Sequence, residues 1–545
     1  MTPFVIGIII ISPFQDVFYG GDGWAYAWSV QNLVIESQLQ ASDWATAQAV
    51  PQILWAAIFV KIFGWSISVL NISTIVAAFF AGLAFFYILV ALNFKYRISI
   101  LTTIVVTVSP IYIGMSMTFM TDSMYTSLIL ISSAFYVAAI LKKKTLFALI
   151  GGLFCAAAIL NRQFGIVLLI AYAMATLFWY FSSSSTHHKK HVFRIAIAGA
   201  ILPVLIFGCY LIYPDFFGGK TIAQAYVIDT RESIIRLFGL HLIYIKSSIT
   251  FTYLIVLLCP IIIPFFFTGR KKLSFLSNNK WLLGIIALLL SAGPAVWFGI
   301  FGTVIQGDVF QVNGKYGNKE ILSELIFSAL FILCLIPGTL LLVKTWKLIQ
   351  SFFNINGFHG FLKKINTDSY SIAMLFIILF TIGQVFLTSS HLSFYNNYFL
   401  PILPFFAICV LLVLRDIGQN IYMSNVMVSI FFLTSILYTE STARFVEASW
   451  KEADTLVNSG YKATTIFPWP AWYGWRNIDD VHEFIKNAAD DGYSPINVLG
   501  IAFNDAQIHV IGSSRHPLYN EVIDRSVTYE TLLGTRKLWV YKKID

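Results

Sequence analysis

The sequence predicts a polytopic α-helical membrane protein, with about 13 transmembrane helices and a small C-terminal extracytoplasmic α/β domain. Three observations predict the helical membrane part and the added domain. Of 545 residues, 58% are hydrophobic and 12% charged, against roughly 25% charged in an average soluble domain. Apolar runs recur as far as Tyr438, most of them close to the ~20 residues that a helix needs to cross a bilayer. Beyond Tyr438 the apolar runs stop, and amphipathic helix alternates with short strand-like runs. The predicted division is a transmembrane domain over 1–439 and an α/β domain over 440–545.

Taken in order, the opening run Met1 to Pro13 has neither a basic n-region nor a small-residue cleavage site, so no cleavable signal peptide is expected. It is short for a span, which leaves truncation of the start open. Spanning runs follow near 68–92, 98–117, 123–141, 145–160, 164–181, 193–212, 240–267, 281–301, 321–343, 370–388, 397–414 and 420–438. Alternate loops form one basic set: Lys95 and Arg97; Lys142 to Lys144; Lys189, Lys190 and Arg194; Arg270, Lys271, Lys272 and Lys280; Lys344, Lys347, Lys363 and Lys364; and Arg415. Loops rich in Lys and Arg stay in the cytoplasm, so the opposite set faces outward together with the C-terminal domain. The formal charge of +9 is then a topology signal, and a nucleic-acid partner loses its support.

The outward segments are long. The first, 15–67, holds Trp24, Trp28, Trp44 and Trp55 and is predicted to lay one or two helices along the membrane surface, because Tyr26, Val30, Leu33 and Val34 share a face at 3.6 spacing. The second, Tyr213 to Leu240, carries Lys220, Asp229, Arg231, Glu232 and Arg236; the third, Gly302 to Glu320, carries Asp308, Lys315, Tyr316 and Lys319. In the C-terminal domain, helices are predicted over Thr442–Asn458 and Ile478–Asp490, and strands over Ala463–Phe467, Ile496–Ala502, Ile508–Gly512 and Leu538–Lys542. There is no internal repeat. The five cysteines lie inside apolar runs without a Cys-x-x-Cys spacing, which argues against disulfides and structural zinc.

Few residues are placed to carry chemistry. Asp22 stands among Gly20, Gly21 and Gly23, just ahead of Trp24 and Tyr26. It suits an N-cap, and it equally suits an acid that orients or activates a hydroxyl. Asp122, at the outward mouth between two helices, either begins a helix whose dipole favours its charge or joins Asp22 on one side of the membrane. Asn161-Arg162-Gln163 interrupts an apolar hairpin on that same side. Arg162 there is either a snorkelling interfacial residue or a bidentate phosphate ligand, a role for which Arg231 and Arg236 compete. No metal-ligand spacing appears, since His187, His188 and His191 fall in a basic cytoplasmic loop. No cofactor is expected, although a divalent metal stays open. Gly-rich nucleotide motifs and Ser-His-Asp arrangements are absent. The aromatic segment Phe467 to Trp475 either stacks on sugar rings or packs the C-terminal domain onto the membrane part.

Several of these segments, in this order, resemble membrane glycosyltransferases of family 39 type in the GT-C class, which includes protein O-mannosyltransferases and aminoarabinose transferases of lipid A. The matching stretches are Gly21 to Ala27; Pro51 to Trp55 with Phe63-Gly64; Ser109-Pro110; Thr121-Asp122; Arg162; and Tyr398 to Pro404. The resemblance covers most of residues 1–410. It implies transfer of a sugar from a polyprenyl-phosphate carrier to an acceptor hydroxyl of a lipid, glycan or protein on the extracytoplasmic face, usually with inversion. By the same resemblance Asp22 and Asp122 are the catalytic pair, and Tyr26, Arg162, Gln163, Arg231, Arg236 and Tyr398 bind substrate. The setting it implies is a prokaryotic plasma membrane, with membrane lipids as partners and no nucleic acid. This chain departs from its apparent relatives at Gly23, where many carry a second acid; at Gln48 to Pro51, where many carry Glu-Lys-Pro-Pro; and at Asn397, where a basic residue is common. Glu36 or Asp43 is available to supply a missing acid. The rival reading is a transporter or flippase of lipid-linked glycans, against which stand the lack of a repeat and the clustering of acids at one face. A polysaccharide polymerase and a non-catalytic sensor are further alternatives.

Overall fold

The computed structural model describes residues 1–213, 246–268, 368–390, 396–415, 420–490, 508–512 and 521–543, apart from positions 46, 184, 248, 249 and 252. The runs predicted near 281–301 and 321–343, the outward loops 213–240 and 302–320, and the strand 496–502 lie wholly or almost wholly outside the described residues. In chain order the helices are α1 (Thr2–Ile11), α2 (Gly23–Gln31), α3 (Val50–Phe63), α4 (Ile67–Ala91), α5 (Tyr96–Thr107), α6 (Pro110–Ser116), α7 (Thr121–Lys142), α8 (Thr145–Asn161), α9 (Ile166–Ser182), α10 (Thr186–Ile212), α11 (Cys259–Thr268), α12 (Ser369–Ser389), α13 (Leu403–Leu414), α14 (Ile421–Asn458), α15 (Pro470–Arg476) and α16 (Ile478–Asp490). Among the described residues six of these spans are long and apolar enough to cross a membrane, or seven if α5 and α6 make one bent span. The chain is a multi-pass helical membrane protein.

The run predicted as one span near 98–117 is broken. Its halves α5 and α6 meet at 61°, because a proline has no amide to donate and disfavours a helical conformation in the residue before it. Ser109 accordingly sits at φ −57° and ψ 143°, and its hydroxyl accepts from the amide of Tyr112 to start α6. At the centre of the bundle is α7, which is buried along most of its length. Hydroxyl and small residues let neighbours approach it closely: Ser132 donates to the carbonyl of Gly151 on α8 at 2.7 Å. One turn further, Tyr136 stacks on Tyr172 of α9 at 3.9 Å and donates to Gly199 of α10 at 2.8 Å. The two ends of α7 differ in charge. Asp122 lies in its first turn and Lys142 in its last.

The region after the last span is joined to the bundle by α14, a single helix of 38 residues, about 57 Å long at the usual rise. It runs through position 440, and its far half carries the sheet. Arg525 of strand β3 (Glu521–Thr531) pairs with Glu452, and the amide of Leu532 donates to Glu440 at 3.0 Å. The other strands are β1 (Ile466–Phe467), β2 (Ile508–Gly512) and β4 (Gly534–Lys543), in the order β1-β2-β4-β3. β1 runs parallel to β2; the other two pairings are antiparallel, and a bulge interrupts β3 between Ile523 and Arg525. The predicted strands 508–512 and 538–542 are present, the latter within β4. The strand predicted over 463–467 is reduced to two residues, because Ala463–Thr465 forms a 3₁₀ turn.

The helix expected along the membrane surface is covered instead. In α2, Trp24, Ala25, Tyr26, Ala27 and Val30 are all buried. The cover comes from the aromatic segment, which packs rather than standing open: Trp472 is fully buried and donates to Asp454 at 2.9 Å, while Trp475 lies against Phe18 and Trp65 at 5.6 and 6.3 Å. The closest approach is at Gly474, where a β-carbon would fall 2.3 Å from Cε2 of Trp24. Gly474→Ala is therefore expected to cost about 1–3 kcal/mol by overpacking, read as a lower midpoint of thermal unfolding. Trp24→Phe in the same chain should restore part of the loss, and an unchanged midpoint in Gly474→Ala alone would refute the contact.

Candidate active site

Both acids singled out in the sequence start helices, and neither uses its side chain as a cap. Asp22 holds the N-cap position of α2 at φ −104° and ψ 4°, and its backbone carbonyl accepts from Ala25 at 3.1 Å. Its carboxylate turns away from the free amides of the first turn and accepts from the indole nitrogen of Trp44 at 3.0 Å. Burial pushes this carboxyl above the usual carboxylate range. The Trp44 hydrogen bond opposes that shift, the charge of Asp122 adds to it, and the charge of Arg162 counters it. About one turn further on, Tyr26 is buried with its hydroxyl in hydrogen-bonding reach of Thr121; burial first, and then the charge of Asp22, raise its pKa.

Asp122 is fully buried in the first turn of α7. A carboxylate in that position needs partners for both oxygens, and it has them. Arg162 donates through Nη1 to Oδ1, and Asn397 donates through Nδ2 to Oδ2 at 3.0 Å. Arg162 reaches it because α8 ends one residue earlier. The arginine is extended, at φ −148° and ψ 131°, and a 3₁₀ turn, Gln163–Gly165, follows before α9. Asn161 fastens this break to α7 by donating to the carbonyl of Thr121 at 3.1 Å. The guanidinium lies over the rings of Phe164 and Tyr398 at 5.8 and 5.4 Å, a geometry that favours a cation. Gln163 joins from the other side, donating to the hydroxyl of Tyr210 at 3.4 Å, which donates in turn to Gln48 at 3.1 Å.

Asp22, Tyr26, Asp122, Arg162, Gln163 and Tyr398 are thus gathered at one end of the bundle from segments far apart in sequence. Arg231 and Arg236 lie outside the described residues. Glu36 is exposed, and Asp43 lies near His482, whose charged form it favours. No group of three His, Cys, Asp or Glu able to hold a metal occurs among the described residues. Trp44 and Asn397 touch the two acids, yet neither stood out as a site residue in the sequence. Asn397 had a signal, since it replaces a residue expected to be basic; Trp44 was one tryptophan among several in its loop. Two side-chain carbonyls at the site, Oδ1 of Asn161 and Oδ1 of Asn397, are buried without a hydrogen-bond partner among the described residues.

The C-terminal region reaches this end too. His482 of α16 bonds through Nε2 to the hydroxyl of Ser42 at 2.9 Å and meets the ring of Trp28 edge-on at 4.8 Å. Trp24 lies between His482 and Trp44, with ring centres 6.3 and 6.1 Å away. Burial lowers the pKa of His482, the nearby acids Asp43 and Asp479 acting against it.

No protein family and no curated protein matches the sequence. Among solved structures the chain is similar to ArnT from Cupriavidus metallidurans bound to undecaprenyl phosphate, at 10% identity and a TM-score of 0.39 over 92% of this chain and 77% of that one. It is also similar to the same protein in the apo state, at 12% identity and a TM-score of 0.36 over 99% and 97% of the two chains.

Arg162→Gln leaves Asp122 buried without its counter-ion and is expected to cost about 3–5 kcal/mol of stability, measured by thermal unfolding in detergent. Asp122→Asn added to Arg162→Gln removes both charges and should recover most of that loss. A double variant as unstable as the single one contradicts the pairing.

Proposed function

We propose that the chain transfers a sugar from a polyprenyl-phosphate donor to an acceptor hydroxyl, at the face of the membrane away from the cytoplasm. The observation that carries this reading is the pairing of unlike acids at one end of the bundle. Asp22 lacks a cationic partner within hydrogen-bonding distance among the described residues, and burial holds its carboxyl in the basic direction; Asp122 is committed to Arg162 and Asn397. Two carboxyl groups in contrasting settings take different roles. Asp22 accepts the proton of the acceptor hydroxyl as its oxygen attacks the anomeric carbon, and the carrier phosphate departs with the bonding electrons. Asp122 is a positioning residue that holds Arg162, whose remaining donors face the leaving phosphate with the bidentate geometry suited to it.

Further features support the reading. The orphaned carbonyls of Asn161 and Asn397 offer acceptors for hydroxyls of a sugar, and Tyr398 and Tyr26 provide faces and edges beside them. The basic loops beyond the opposite end of α7, Lys142 to Lys144 among them, support reading that end as cytoplasmic and the acids as outside. A lipid-borne donor arrives along the membrane, so no nucleotide fold is needed. Residues 440–545 are read as the extracytoplasmic domain that closes over α2 and helps select the acceptor. The undecaprenyl phosphate bound in the ArnT structure belongs to the carrier class proposed here.

Purified protein in lipid, supplied with synthetic polyprenyl-phosphate sugars, should turn the donor over, and Asp22→Asn should lower turnover by at least about 100-fold, the scale of a lost general base. Full activity in Asp22→Asn removes the assignment, and lipid translocation without turnover favours the transporter. The same assay has a pH signature. The base works only when ionised, and its pKa is raised, so activity should fall on acidification at a pH above the ~3.9 of an ordinary aspartate. Trp44→Phe removes a bond that favours the ionised form and should move this limb to higher pH; an unmoved limb would rule out Asp22 as the titrating base.

A further inference from the structure

Away from the acids, an apolar groove of about 620 Å³ runs between α4, α7 and α8. Its lining extends along α7 from Met124 to Lys142, about 27 Å at the helical rise, which is close to the ~30 Å of a bilayer's hydrocarbon core. The groove opens sideways, because Phe80 and Leu83 on its α4 wall are 50% and 42% exposed. Its lining is apolar throughout apart from Ser127, the tryptophan and tyrosine of its walls, and a single charge. That charge is Lys142, at the end remote from Asp122. The ammonium lies 5.8 Å from the ring centre of Tyr87 on α4 and 5.2 Å from that of Phe147 on α8, so two aromatic faces hold it across the mouth. Lys143 and Lys144 follow directly.

We infer that this groove is a binding site for an anionic phospholipid, with the headgroup phosphate at Lys142 and an acyl chain lying along α7 toward Met124. A cation fixed at the mouth of an apolar channel is complementary to a lipid that carries its negative charge at one end, and juxtamembrane lysines attract anionic headgroups. The direction is set by where the charge lies. A donor whose phosphate reacts beside Arg162 places its own charge at the opposite end and leaves Lys142 without an anion. The occupant is therefore a resident lipid and not a substrate. Its position against α7, whose first turn carries Asp122, ties the packing of that helix to the lipid beside it. The exclusion of the donor as occupant and the naming of the leaflet, as the cytoplasmic one, rest on the function proposed above; the fit of an anionic lipid to the groove rests on the groove alone.

The test is a lipid titration of delipidated protein, read by native mass spectrometry and thermal unfolding, with phosphatidylglycerol, phosphatidylcholine and a synthetic C55 polyprenyl phosphate as probes. Phosphatidylglycerol should bind one to one, at least fivefold tighter than phosphatidylcholine, and raise the unfolding midpoint. Lys142→Glu should abolish that preference, and Asp22→Asn should leave it intact, so loss of sugar transfer and loss of the lipid site are separable results. Leu83→Trp, at an exposed wall position that tolerates a larger side chain, should block binding, with Ala134→Trp as a second, deeper block. Equal binding of the two phospholipids, or an unchanged preference in Lys142→Glu, overturns the proposal. Displacement of phosphatidylglycerol by polyprenyl phosphate, with both blocked by Leu83→Trp, assigns the groove to the carrier and overturns it as well.

Discussion

A buried carboxylate is expensive unless every oxygen is paired, and the burial of Asp122 is the constraint from which this end of the bundle follows. Its two partners come from remote parts of the chain: Arg162 from the break after α8, and Asn397 from the 3₁₀ turn ahead of α13. To deliver Arg162, α8 has to stop at Asn161, and the amide of that residue then holds the break onto the start of α7. One charge thereby sets where a helix ends and which helices meet. The apolar surfaces of α7, α8 and α9 stabilise the bundle below. They do not by themselves say where its polar end is placed.

Asp22 depends on a different part of the molecule. Its hydrogen bond comes from Trp44, in a loop with little regular structure, and that loop is held from outside by packing of Trp24 against Trp44, His482 and Gly474. Asp122 is positioned by the membrane bundle, and the loop that holds Asp22 is covered by the region that follows it. A change in how α15 and α16 sit over α2 reaches Asp22 through two tryptophans, without passing through Asp122. The hydrogen-bond partners of the two acids are separate, while the charges of Asp122 and Arg162 still act on Asp22.

Much of this was legible in the sequence, and the gaps have physical causes. The spans 68–92, 123–141, 145–160 and 370–388 coincide with α4, α7, α8 and α12 to within a few residues, because an apolar run of bilayer length has little choice but to be a helix. The bend at Ser109-Pro110 lay inside an apolar run, where hydropathy is blind to it. Strand β3 was missed because Asp524, Arg525, Ser526 and Thr528 make it polar, its stability coming from a hairpin with β4 and the ion pair to Glu452. The segment of α2 was read as lying along the membrane surface; Tyr26 and Val30 of its predicted face are buried, Leu33 and Val34 partly so, and its Trp24 is covered by Gly474, about 450 positions away. Asp22 and Asp122 were visible as isolated acids. Of their partners, Asn397 stood out only as a departure from an expected basic residue and Trp44 not at all, since a hydrogen bond between segments distant in sequence leaves no local pattern.

The long helix α14 gives these contacts a common phase. It anchors near the start of the chain, where Arg444 donates to the carbonyl of Ile11 and Glu447 accepts from Tyr19, and some two turns later it holds Arg525 and Trp472 through Glu452 and Asp454. With no loop between these points, rotation is transmitted along it undamped. Each residue of a helix turns its successor by about 100°, so a single insertion between Glu447 and Glu452 would swing the sheet and its aromatic cover a quarter-turn or more around the shaft. The spacing of side chains along α14 is therefore held to a tolerance of less than one residue, a stricter demand than hydrophobicity alone places on any span in the bundle.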